Sequence, residues 1–152
     1  MPFSVETICK TSFQTTHSVD QIMEFLSDYD NSVGNQFDGL ESFKLEGHDS
    51  YRWTFESINY GSYHLQITFL TKFKKKDPQT LEIIPIKGDD KAIFSGCWKL
   101  KPNKDGTLVT FEAKLVGELP LPGLMKGMIT PLAQKEVTKL FNRYVENVSK
   151  SL

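Results

Sequence analysis

The stretch from Leu119 to Leu152 reads Leu-Pro-Leu-Pro-Gly-Leu-Met-Lys-Gly-Met-Ile-Thr-Pro-Leu-Ala-Gln-Lys-Glu-Val-Thr-Lys-Leu-Phe-Asn-Arg-Tyr-Val-Glu-Asn-Val-Ser-Lys-Ser-Leu. Apolar residues stand at 121, 124, 125, 128, 132, 133, 137, 140, 141, 144, 145, 148 and 152. These threes and fours form one face of a long helix. Lys126, Lys135, Lys139, Arg143, Asn147 and Lys150 fall mostly on the other side. Two starts are open: near Pro122 with a break at Gly127–Pro131, or at Pro131, with Thr130 as N-cap and Pro131 as the first helical residue.

Upstream, the pattern is that of strands. Phe3, Val5, Cys9 and Phe13 share one face of a half-buried strand. Ser18-Val19-Asp20-Gln21 has capping-box form. Val19, Ile22, Met23, Leu26 and Tyr29 follow at helical spacing, and Asp30–Asn35 ends that helix, with room for a second short turn. Further alternating runs cover 40–47, 51–58, 63–69, 80–86, 92–100 and 109–115, each bounded by turn residues. Pro85 marks an edge or a bulge. Turns this short imply an antiparallel meander, because parallel neighbours need long crossovers. The expected fold is therefore α+β: an antiparallel sheet of about seven strands curved around the C-terminal helix, with a short helix after the first strand. A sheet curled that far leaves a cavity. Its expected lining is Trp53, Phe55, Tyr63, Ile67, Phe94, Trp98, Phe111, Met125, Met128 and Leu132, although such an aromatic stripe also suits a solid core.

Length and composition narrow the classes. At 152 residues the chain reads as one domain over 1–152. A net charge of -1 speaks against a nucleic-acid footprint. The basic run Lys72-Phe-Lys-Lys-Lys76 precedes Asp77-Pro78 and reads as a solvated strand end. Cys9 and Cys97 lack CxxC spacing and read as small hydrophobes of a reducing compartment. No secretory leader and no membrane-spanning run is apparent, so a cytoplasmic protein is expected.

The order strand, helix, meander, long helix resembles the START-like helix-grip superfamily, also called SRPBCC. Two local runs sharpen the likeness. Phe94-Ser-Gly-Cys-Trp-Lys-Leu100 followed by Asp105-Gly-Thr-Leu-Val-Thr110 is similar to the penultimate hairpin of the polyketide cyclase and coenzyme Q-binding branch. The opening strand leading into Ser18-Val-Asp-Gln-Ile-Met-Glu-Phe-Leu-Ser-Asp-Tyr29 is similar too. Where many relatives carry a Trp-Pro segment after the first helix, this chain has Tyr29–Asn35. The resemblance implies an apolar ligand such as a lipid, quinone or polyketide.

Catalytic signals are sparse. His17, His48 and His64 lie on separate elements without metal-ligand spacing, so no metal or other cofactor is expected. No GxSxG, P-loop or GxGxxG occurs. Glu56, His64, Glu82, Glu112 and Lys114 have outward parity, which leaves Tyr51, Tyr63 and Tyr144 as the polar groups near the inner face. No catalytic residue is assigned, and the favoured function is a carrier or sensor of an apolar molecule. A cyclase- or dehydratase-type enzyme, and a structural or partner-binding module with a filled cavity, are the alternatives. An inward His64 or Glu112 beside Tyr63 would favour the enzyme. Between Leu121 and Ile129, Gly123, Gly127 and the neighbouring prolines surround apolar residues that would cover the cavity as a gate. Ligand entry and transient membrane contact are expected there.

Overall fold

The computed structural model describes residues 2–152, apart from the side chain of Tyr60. The strands are β1 (Phe3–Thr15), β2 (Leu40–Glu46), β3 (Ser50–Phe55), β4 (Ile58–Tyr60), β5 (Tyr63–Leu65), β6 (Thr68–Asp77), β7 (Thr80–Pro85), β8 (Ala92–Asn103) and β9 (Gly106–Leu119). The helices are α1 (Val19–Ser27) and α2 (Lys126–Ser151). Seven strands form one antiparallel sheet in the order β1-β9-β8-β7-β6-β3-β2, and β4 pairs only with β5. The meander is thus real from β6 to β9, but β1 crosses to the far end. There it pairs with β9 from Phe3↔Leu119 to Thr15↔Thr107.

α1 starts where its capping box requires. The Gln21 amide donates to Ser18 Oγ at 3.2 Å, and the Ser18 amide donates to Gln21 Oε1 at 2.9 Å. After it, Asp30–Gly34 makes one π-helical turn, in which the Asn35 amide reaches the Asp30 carbonyl at 3.1 Å. Buried Ser32 closes this corner by donating to the Leu26 carbonyl at 2.9 Å.

Two expectations need correcting. The run at 63–69 is not one strand. The chain leaves the sheet after Phe55 and rejoins it at Thr68, while the Phe55 amide still bonds the Ile67 carbonyl at 2.9 Å. Gln66 donates to the Phe55 carbonyl at 3.1 Å, so a side chain takes over where the ladder lapses. Residues between these points project as the small β4–β5 hairpin. The helical segment does start near Pro122, but the expected break at Gly127–Pro131 is absent. A 3-10 turn at Gly123–Met125 leads directly into α2, which continues through Gly127, Thr130 and Pro131. Pro131 lies in the second turn, where its missing N–H costs a single bond to the Gly127 carbonyl. Ile129, buried beside it, holds the turn in place.

Pro85 closes β7 opposite Thr71, beyond Ile83↔Gly96, the last pair that β7 makes with β8. It can therefore lack a donor without breaking that ladder. α2 runs beside the edge strand β1. Gln134 Nε2 donates to the Glu6 carbonyl at 2.9 Å, and Thr11 Oγ1 donates to Asn142 Oδ1 at 2.7 Å. The helix thus covers backbone that an edge strand would otherwise expose.

Candidate functional site

The inner sheet face and α2 enclose a core of rings. Phe94 stacks on Phe141 at 5.3 Å, Trp98 meets Phe111 at 4.6 Å, and Tyr144 stacks on Phe37 at 4.5 Å. Trp53 contacts Phe69 and Phe94 at 5.2 Å each. Its indole N–H donates to Thr71 Oγ1 at 2.8 Å, so its one polar group is satisfied inside. Of the ten expected lining residues, Trp53, Phe55, Phe94, Trp98 and Phe111 are buried in this cluster. Ile67 is half-buried against it.

Tyr63 and Met125 are half-buried elsewhere. With Leu119 and Ala133 they pack on a separate small cluster made by Phe3, Val5, Leu121 and Ile129. Met128 and Leu132 do not face the sheet: they are 56% and 53% exposed, and Leu124 is 99% exposed. The α2 surface that faces inward near its start is the 125–129–133 row, not the 124–128–132 row. The two rows differ by one residue, about 100° around the helix.

Burial along the inner face of α2 is uneven. Phe141, Tyr144, Val145 and Val148 are sealed. Met125, Ala133, Val137 and Leu140 are only half-buried. The grip is closed by aromatic packing where Phe141 and Tyr144 meet the rings of the sheet. The start of α2 packs instead on the small cluster around buried Ile129, beside Tyr63 of the hairpin. Open surface grooves lie elsewhere. One of about 740 Å³ borders the α1 N-terminus and is walled by Ser18, Gln21, Asn103 and Asp105; another of about 470 Å³ lies on the outer sheet face, at Ile8, Ile84 and Cys97.

Charge stays outside this wall. Among the described residues no Asp, Glu, Lys, Arg or His is buried. Glu112 lies on the outer face, 2.8 Å from Lys99 Nζ and 3.7 Å from Lys10 Nζ. Its hydrogen bond to Lys99 holds its carboxyl below the usual range against desolvation, helped by the charges of Lys99 and Lys10. His64 is exposed on β5, with Nδ1 2.8 Å from Asn59 Oδ1. Neither stands inward beside Tyr63.

Besides the Trp53–Thr71 pair, a thiol and a phenol are buried on the inner side. The Cys9 thiol donates to Thr138 Oγ1 at 3.7 Å, and burial pushes its pKa up. Cys97 lies on the opposite face of the sheet, and both cysteines are unbonded. Tyr144 is fully buried, and its hydroxyl has no hydrogen-bond partner. Desolvation therefore pushes its pKa far above the tyrosine range. Trp98, edge-on at 5.8 Å, opposes this weakly, although no hydrogen bond of good geometry joins the two.

Sequence reading missed Phe37, Phe3, Val5 and Ile129 as wall residues. Phe37 lies between α1 and β2, outside any periodic run, so no local pattern marks it. Phe3 and Val5 were legible as inward but not as neighbours of Ile129.

No family model and no curated protein matches the sequence. Solved structures do match the fold. A START superfamily protein from Mycobacterium smegmatis is similar at TM-score 0.59 and 16% identity, covering 94% of this chain and 92% of that one. TTHA0849 from Thermus thermophilus is similar at TM-score 0.58 and 15% identity, over 96% and 98% of the two chains. The di-domain ARO/CYC StfQ from the steffimycin biosynthetic pathway is similar at TM-score 0.62 and 12% identity; 96% of this chain covers 49% of StfQ. At such identities the likeness is one of architecture: the chain has the helix-grip fold of START-like proteins.

Proposed function

We propose that the protein holds a small apolar molecule, such as a lipid, quinone or polyketide-like compound, between the sheet and the N-terminal half of α2. It acts as a carrier or sensor. The observation that supports this reading is the helix-grip architecture shared with the START superfamily protein and StfQ, with an inner face that carries no buried charged side chain among the described residues. Half-buried Met125, Ala133, Val137 and Leu140 form the wall with Tyr63, Ile67 and Ile129, and Met125 adapts readily to ligand shape. Trp53, Phe55, Phe94, Trp98 and Phe111 are its packed floor. A wall without a charged group suits binding better than acid–base chemistry, so the cyclase-like alternative gains no support.

Native mass spectrometry of the purified protein, with lipid extraction, tests this. A reproducible apolar passenger is expected, and Ala133→Trp should expel it while leaving the melt intact. The ring contacts of the core favour a second reading, a partner-binding module whose interior is already full. Protein that is ligand-free in every preparation, and takes up no fatty acid or quinone analogue, would establish that reading instead.

A further inference from the structure

We propose that the outer face at the start of α2 docks on an anionic lipid bilayer. Leu124, Met128 and Leu132 are the exposed large apolar side chains of this segment. Their four-residue spacing sets them in one line about 12 Å long. Leu124 projects from the 3-10 turn and has essentially no protein cover. Buried Leu121 and Ile129 supply no part of this surface. The contact is therefore made by the 124–128–132 row, not by the whole of Leu121–Ile129.

Charge selects the occupant. Lys135 and Lys139 are exposed on the row's own side of the helix and Lys126 is exposed on the other side, while Glu136, one turn after Leu132, is the acidic residue between 121 and 143. Ion pairs among the described residues leave all three lysines without a carboxylate partner. A second copy offers no complement, because apposing the row to itself would bring lysines against lysines. An anionic headgroup layer complements them, and the acyl boundary below it takes up leucine and methionine. The net charge of -1 makes the attraction a property of this patch rather than of the whole protein.

The test is co-sedimentation with phosphatidylcholine vesicles, with and without one-fifth phosphatidylglycerol, at low and high salt. Wild type should sediment with the anionic vesicles and be released by salt. Lys135→Glu with Lys139→Glu should lower that binding by at least about tenfold. Leu124→Ser, Met128→Ser and Leu132→Ser together should abolish it. Unchanged thermal melts would exclude misfolding, since all five side chains are exposed. Wild type left in the supernatant, or binding indifferent to the serine triple, overturns the proposal. So does a concentration-dependent dimer that the serine triple dissolves. The serine triple alters only exposed side chains and leaves the interior intact, so loss of its vesicle binding reads surface docking and not uptake of a vesicle lipid by the interior.

Discussion

Gly106 has φ +133°, and a Cβ there would collide with the Thr15 carbonyl oxygen and Thr16 Cα. Both features allow only glycine at the β8–β9 turn where β1 passes. Gly106→Ala should lower stability by about 2–3 kcal/mol in denaturant melts; an unchanged midpoint would mean that the turn relaxes freely. Tyr144 poses the opposite case, a buried hydroxyl without a partner. Tyr144→Phe removes an unpaired polar group and keeps the ring stacked on Phe37. Stability should stay level or rise by up to about 1 kcal/mol. A clear loss would reveal a partner for the hydroxyl in solution, either water or a bound molecule. Neither residue's role is written locally. The Gly106 turn was legible, but the proximity of Thr15 comes from a strand ninety residues away.

At the scale of elements, the strands and α1 were legible because their periods and caps are local. The alternating run at 109–115 reads as a half-buried strand, and Val109, Phe111, Ala113 and Leu115 are its buried residues. α2 was harder. Its apolar positions include two parallel rows, 124–128–132 and 125–129–133, and sequence alone cannot say which one the sheet covers. The cluster of Phe3, Val5 and Leu121 selects the second. Gly127 belongs to continuous helix with open space around a would-be Cβ. Gly127→Ala should therefore stabilise the protein by about 0.5–1 kcal/mol, read from the melting midpoint. Destabilisation would show that this residue leaves helical geometry in solution, as a moving gate requires.

For the whole molecule, the central question is whether the aromatic interior is a solid core or a ligand wall. Trp98 is 1% exposed and packed between Phe111 and Tyr144. Trp98→Ala should cost about 3–5 kcal/mol, as for a large side chain removed from a filled site. A much smaller cost, with ligand affinity falling on the same variant, would make Trp98 part of an open pocket. Sequence by itself determined the antiparallel meander, the long C-terminal helix and the apolar, uncharged inner faces. Those follow from side-chain period and turn chemistry, which act over a few residues. Only the tertiary structure decided that β1 pairs with β9, that residues 56–67 leave the sheet, and which row of α2 meets water. These depend on contacts between residues far apart in the chain, where packing volume and not local pattern selects the neighbour.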